Sequence, residues 1–231
     1  MFDIERQKEI LDFLNEKTGV TIVRLAKMLH VSETTVRRDL NALQAQGKVK
    51  RTFGGVVLMD AQEKEVPLML RTEENLEEKR QLARKAIEYL KDGDVVFFDA
   101  SSTIMQIVLL LGKEFKNIIA ITNGLQTALE LAKEGITTFC TGGKLLNRSL
   151  AFAGVEAEKY LRGINFDVAF MTCRGYCDGV FSDSSSEEAS VRQTVIKQSK
   201  RTYFVFDTRK IGKKFFYNIA TENEVDGIIK S

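Results

Sequence analysis

Residues 32–47 read SETTVRRDLNALQAQG, and the order of side chains in this stretch decides what the N-terminal part of the chain is. At about 100° per residue, Val36, Leu40 and Leu43 line up at i, i+4 and i+7, the apolar stripe of a helix that docks on a core. Ser32 is placed to cap that helix and Gly47 to stop it. Thr34, Arg38, Asn41 and Ala45 then point the opposite way, with Arg37 on the flank. Arginine reads guanine bidentately, asparagine reads adenine, and threonine donates to bases or phosphates, so this face suits a major groove. Ser32 and Thr35, at the helix N-terminus, stand where backbone amides meet a phosphate. Asp39 is expected to pair with a nearby arginine and hold it in place.

Working outward, Thr21 caps a short preceding helix with Val23, Leu25, Ala26 and Leu29 inward, and His30-Val31 form the turn between the two. A helix over about residues 3–17 precedes it, with Ile4, Ile10, Leu11 and Leu14 on one face and Gly19 ending it. That is the spacing of a helix-turn-helix. Downstream, KVKRTFGGVVL (48–58) alternates through Val49, Arg51 and Phe53 to a Gly54-Gly55 turn, a short hairpin. Lys48, Lys50 and Arg51 fall where such a wing meets the sugar-phosphate backbone. Arg6, Ile10 and Leu14, followed by Ser32, Thr35, Val36, Arg37, Arg38, Asp39 and Leu40 and then the Gly54-Gly55 wing, resemble the N-terminal signature of the DeoR family of bacterial repressors. The resemblance implies binding to double-stranded operator DNA.

Charge agrees with that reading. The 231 residues carry 34 Lys+Arg and 32 Asp+Glu, but residues 18–57 hold seven basic side chains against two acidic ones. A compact basic segment ahead of a neutral body is the footprint of a nucleic-acid module joined to something else. No apolar run exceeds five residues, and the N-terminus lacks a basic stretch leading into an apolar one, so neither a membrane span nor a signal peptide is expected. Three cysteines fit a reducing compartment, and the expected location is the cytoplasm. The expected domains are a winged helix over 1–57, a linker over 58–74 containing the single proline, Pro67, and a larger domain over 75–231.

After an amphipathic helix with Leu82, Ala86, Ile87 and Leu90 inward, apolar runs at 94–98, 117–121, 136–141, 167–172 and 203–206 alternate with helical stretches near 103–113, 124–134, 154–163 and 187–200. Short continuous apolar runs between helices predict a doubly wound, mostly parallel α/β sheet, whose ligands bind beyond the strand C-termini. The runs lead into Asp99-Ala100-Ser101-Ser102-Thr103, Thr122-Asn123-Gly124, Gly142-Gly143-Lys144 with Arg148, and Asp207-Thr208-Arg209-Lys210. Small hydroxyls, glycine amides and helix N-termini with lysine and arginine nearby suit a phosphate. Asp99, Asn123 and Asp207 suit the hydroxyls of a polyol.

Asp99 with Ser102-Thr103, Thr122-Asn123, Gly142-Gly143, Gly154 and Asp207 with Lys210 extend the DeoR resemblance to this half, which in that family is similar to sugar-phosphate isomerases. The resemblance implies that Ser101 to Thr103 and Lys210 hold the phosphate of an effector sugar, with Asp99, Asn123, Arg148 and Glu187 on its sugar side. Ser101 stands where the family usually has glycine, and Thr172-Cys173-Arg174-Gly175 replaces a more usual glycine-containing stretch. An isomerase needs an acid and a base poised near neutrality, commonly including histidine. The single histidine, His30, lies in the DNA-binding turn, which points to a sensor. The alternative is residual isomerase catalysis on Asp99, Asp178, Asp183 or Glu187. Cys173 and Cys177 lack a second pair or a histidine, so no metal is expected, and no cofactor. The resulting expectation is a repressor of a carbohydrate-utilisation operon, a homo-oligomer (dimer or tetramer), released from its operator by a phosphorylated sugar.

Overall fold

The computed structural model describes residues 3–16, 20–46, 48–52, 55–58, 67–115 and 117–231. They form two compact units, Met1–Glu74 and Asn75–Ser231, each treated by itself below.

The first unit contains α1 (Asp3–Glu16), β1 (Val20–Thr21), α2 (Ile22–Met28), α3 (Glu33–Ala45), β2 (Val49–Thr52), β3 (Gly55–Leu58) and α4 (Leu68–Thr72). Both predicted caps form: the Thr21 hydroxyl accepts from the Arg24 amide and the Ser32 hydroxyl from the Thr35 amide. Val36, Leu40 and Leu43 are buried against Ile10, Leu14, Leu25 and Leu29, so the i, i+4, i+7 stripe is the core face of α3. Two expected core positions differ. Ile4 is 82% exposed and Val23 49%, while Ile22 takes the inward place on α2. In the first turns of α1 the inward position belongs to Arg6, only 4% exposed, because Asp39 of α3 is buried opposite it and needs a cation.

β1, β3 and β2 form a three-stranded antiparallel sheet in that order. Thr52 pairs with Gly55, so Gly55 belongs to β3 and the hairpin closes one residue earlier than expected. A Cβ on Gly55 would meet the Val20 carbonyl oxygen at 2.2 Å, and glycine is what lets β1 come alongside. Phe53, Gly54, Gly19 and Gly47 lie outside the described residues, as do residues 59–66 of the expected linker and the side chains of Lys50 and Arg51. Within the rest of that expected linker, Pro67 precedes the first turn of α4, where its missing N–H is no loss, and Leu68 is buried.

The second unit contains α5 (Leu76–Ile87), β4 (Val95–Phe98), α6 (Ser102–Glu114), β5 (Ile119–Thr122), α7 (Leu125–Lys133), β6 (Thr137–Cys140), β7 (Lys144–Leu146), β8 (Ala151–Ala153), α8 (Val155–Leu161), β9 (Val168–Met171), β10 (Gly175–Cys177), β11 (Val180–Asp183), α9 (Ser186–Gln198), β12 (Thr202–Phe206), β13 (Tyr217–Thr221) and β14 (Gly227–Lys230). Six of these strands make a parallel sheet in the order β14-β12-β9-β4-β5-β6. Chain direction across the sheet reverses between β4 and β9, the switch point where doubly wound folds open a crevice. Strand residues alternate between two cores. Val96, Phe98, Val168, Phe170 and Val205 pack with α5 and α6, whereas Phe97, Ala169, Met171, Phe204 and Phe206 pack with α8 and α9.

Two antiparallel additions are absent from the sequence reading: the β7–β8 hairpin and the sheet β10-β11-β13. The second carried a signal. Asp178-Gly179, with φ of 51° and 74°, is the two-residue turn that joins β10 to β11.

Candidate DNA interface and effector rim

On α3 the residues opposite the core stripe are solvent-facing: Thr34, Arg37, Arg38, Asn41 and Ala45 are exposed, and Lys48 is exposed just beyond the helix. Ser32 and Thr35 are tied together at the cap, their hydroxyls 3.0 Å apart, so Ser32 first serves the helix end. His30 is exposed, with φ 53°, and acts as the left-handed residue of the turn. Beneath this surface Arg6 donates to both oxygens of Asp39, at 2.5 and 3.0 Å, and to Asp3 at 2.7 Å. The hydrogen bonds it donates to Asp39 and then Asp3 raise the Arg6 pKa above its usual range, locking in the charge. Asp3 in turn reaches Arg38 at 3.3 Å, and the Arg6 hydrogen bond together with the Arg38 charge holds its carboxyl below the usual range. Arg37 is paired loosely with Glu33 at 3.5 Å. The partner expected for Asp39 is therefore on another helix, and its effect on Arg38 is indirect, through the α1–α3 packing and Asp3.

At the ends of the parallel strands the polar residues are mostly committed internally. Asp99, fully buried at the switch point, accepts through Oδ2 from the Thr172 amide at 3.1 Å and from Arg192 Nε at 2.8 Å. Its Oδ1 is buried without a hydrogen-bond partner. Arg192 also donates to Asp183 at 2.8 Å. Burial opposes the Arg192 charge, but the charges of Asp99, Asp183 and Glu188 prevail and raise its pKa. Thr122 donates to the Phe98 carbonyl at 2.6 Å and accepts from the Gly124 amide at 2.9 Å. The Asn123 side chain accepts from the Ala100 amide at 3.1 Å and donates to the Phe152 carbonyl at 3.3 Å, stapling the loop after β4 to β8. Asp99 and Asn123, expected on the sugar side, and Thr122 beside them thus also brace the loops at the strand ends.

Ser101 caps α6 by accepting from the Ile104 amide at 3.0 Å, and Ser102 and Thr103 follow in its first turn. Lys210 Nζ donates to Thr172 Oγ1 at 2.8 Å, and Thr172 is the residue whose amide binds Asp99. A cation and the N-terminus of a 13-residue helix are therefore tied to one corner of the sheet through Thr172 and Asp99. Gly142 and Gly143 both have positive φ, and a Cβ on Gly143 would meet the Ala153 carbonyl at 2.8 Å. Arg148 is half-buried in the β7–β8 turn, and Glu187 forms a partly exposed pair with Lys144 at 3.0 Å. Asp207 binds Arg209 through both oxygens at 2.9 Å. Burial works against the Asp207 charge, but the hydrogen bonds and charges of Arg209 and Lys210 hold its carboxyl below the usual range. Arg192 escaped the sequence reading, which named Asp183 only as a possible base and Thr172 only in a stretch that departs from the family pattern. Its signal was the charged Glu188 and Arg192 at i, i+4, flanked by the core residues Val191 and Val195.

Among the described residues no group of three or more His, Cys, Asp and Glu side chains is arranged to hold a metal ion, and no helix is long and apolar enough to cross a membrane.

Two family models match the chain, a DeoR-like helix-turn-helix domain over residues 6–62 and a DeoR C-terminal sensor domain over residues 74–231. The chain belongs to the DeoR family. It is similar to an uncharacterized HTH-type transcriptional regulator, YulB, of Bacillus subtilis (strain 168), 33% identical over 99% of this chain and 89% of that protein. It is also similar to the HTH-type transcriptional repressor GlcR of the same organism, at 32% identity over 99% of this chain and 88% of that one. The lactose phosphotransferase system repressor of Staphylococcus epidermidis (strain ATCC 35984) is 29% identical over 97% and 90%. Among solved structures, eIF2B delta from Chaetomium thermophilum shares the fold, with a TM-score of 0.51 and 17% identity over 70% of this chain and 58% of that chain. As a DeoR-family member with a helix-turn-helix domain, the chain is a DNA-binding transcription regulator and not an enzyme.

Proposed function

We propose that this DeoR-family protein represses a carbohydrate-utilisation operon in the cytoplasm and leaves its operator when a phosphorylated sugar binds the rim of the α/β unit. The DNA side of the reading rests on the solvent-facing Thr34, Arg37, Arg38 and Asn41 of α3, with Ser32, Thr35 and the wing residues Lys48, Lys50 and Arg51 toward the phosphates. The single observation that carries the effector side is the corner at the switch point. Lys210, held by Thr172, and the opening turn of α6 at Ser101 to Thr103 are tied together through Asp99, and both favour an anion. In this reading Gly142, Gly143, Arg148 and Glu187 lie on the sugar side. The name of the lactose phosphotransferase system repressor supports a carbohydrate as the signal. Coupling between the two sites is reciprocal: an effector that weakens operator binding is itself bound more weakly by the operator complex, by the same factor.

A thermal-shift panel of sugar phosphates, with inorganic phosphate and unphosphorylated sugars as controls, tests the proposal. At least one sugar phosphate is expected to raise the melting temperature of the full chain, and Lys210→Ala to remove that shift. A flat response across the panel sinks the effector reading.

A further inference from the structure

The two exposed arginines of α3 differ in what stands behind them. Arg37 pairs with Glu33 one turn away on the same helix, at 3.5 Å, a contact that helical spacing alone brings about. Arg38 meets Asp3 of α1, 35 positions earlier, with Nη2 at 3.3 and 3.5 Å from the two carboxylate oxygens. Asp3 is itself held from below, because Arg6 donates to its Oδ1 at 2.7 Å while also donating to Asp39 of α3. Arg6 and Asp39 are buried, Asp3 and Arg38 exposed, so four charges of alternating sign run from the core to the recognition surface. The hydrogen bond from Arg6 and then the charge of Arg38 hold the Asp3 carboxyl below its usual range, and it stays ionised.

We propose that Asp3 is a specificity-determining residue for DNA, holding the Arg38 guanidinium toward a guanine edge and keeping it off the phosphates. A guanine is read by two N–H groups of one planar guanidinium, aimed at O6 and N7, whereas a phosphate accepts an arginine from many directions. An arginine on a free stem loses rotamer freedom either way, and the charge of the DNA backbone draws it to a phosphate. A carboxylate fixed beside it removes part of that loss in advance and repels phosphates, so it penalises the non-specific contact more than the base contact. Asp3 engages Nη2 alone, which leaves the N–H groups of Nη1 and Nε for DNA. The pair is loose in water and tightens when DNA displaces the water around it. Glu33 has no such buried cation behind it among the described residues, so Arg37 lacks this support. The proposal rests on the reading of Arg38 as a base contact.

Binding of the full chain to an operator selected from a random DNA pool, and to every single-base variant of it, tests this for wild type, Asp3→Asn, Arg38→Ala and the double variant. The wild type is expected to show a guanine whose replacement costs about 10- to 100-fold, and Arg38→Ala to erase the preference there. Asp3→Asn should reduce that preference about 5-fold at this position alone, the upper range for an exposed ion pair. Its binding to non-operator DNA should tighten about 2-fold, since one negative charge near the phosphates is gone. In the Arg38→Ala background Asp3→Asn should change no positional preference. A loosened fold gives a different result: affinity falls by one factor on all sequences, and the urea transition of the first unit reads that loss separately. An unchanged preference in Asp3→Asn, a loss spread equally over all positions, or the same effect of Asp3→Asn with and without Arg38 would each overturn the proposal. Arg38→Ala without effect at any position overturns the base-reading assignment as well, whereas a preference that Arg38→Ala erases and Asp3→Asn leaves intact overturns only the role of Asp3.

Discussion

The outer face of α3 and the strand ends of the α/β unit draw on the same residue types, and the fold treats them in opposite ways. On α3 the threonine, arginine and asparagine side chains stand in solvent, and the two exposed arginines have only loose ion pairs at 3.3 and 3.5 Å. At the strand ends Asp99, Thr122 and Asn123 are buried and hydrogen-bonded at 2.6–3.3 Å to backbone and side-chain groups around them, and Ser101 to Thr103 at the start of α6 are buried as well. A polar residue on a helix surface is available by default. A polar residue at a strand end has first to satisfy backbone groups that the sheet leaves behind.

The largest effect that can break this contrast is removal of Arg192. Arg192→Ala leaves Asp99 and Asp183 facing each other without a cation, and the α/β unit should lose about 3–5 kcal/mol, measured as the second unit's urea transition. A loss below about 1 kcal/mol would mean that the buried network does not scaffold the rim. Asp39→Ala should cost the winged-helix unit about 3 kcal/mol by removing the buried carboxylate that Arg6 binds, with the α/β transition unmoved. Arg38→Ala should leave both transitions in place and cost operator binding about 1–3 kcal/mol, as loss of a base-reading contact does. Lys48→Ala should weaken binding less, equally on all sequences, and reduce the salt slope by about one.

The smallest effect is on pH. The Asp207 carboxyl is held below its usual range, so its contribution to stability is complete above the unfolded pKa of about 4 and is lost as pH falls through the lowered folded value. Asp207→Asn should flatten the acid limb of the stability curve of the α/β unit and leave the neutral region's pH dependence alone.

Much of this was legible in the sequence, for identifiable reasons. The helical period sorted α3 correctly because core and solvent faces differ in polarity residue by residue, and Val36, Leu40 and Leu43 could face only one way. The alternation of apolar runs and helices gave the parallel sheet because strands buried on both faces read as continuous apolar stretches. Ile4 misled because an apolar residue in the first turn of a helix fits the period without anything to pack on, while its neighbour Arg6 was recruited by a carboxylate 33 positions away. The β7–β8 hairpin has strands of three residues, too short for a period to register. At the rim, residue type singled out the polar loops at the strand ends. Which side chain in each loop is free depends on contacts such as Asp99 to Arg192, 93 positions apart, that local sequence does not carry.

The most direct test of the two-site account is fluorescence anisotropy of an operator selected from a random DNA pool, titrated with sugar phosphates in the presence of wild-type protein, Arg38→Ala and Lys210→Ala. The account predicts that one sugar phosphate releases DNA from the wild type, that Lys210→Ala binds DNA but is not released, and that Arg38→Ala binds the operator about 10- to 100-fold more weakly while retaining the thermal shift. Release of Lys210→Ala by the same ligand at the same concentration, or loss of both activities in both variants, would contradict it.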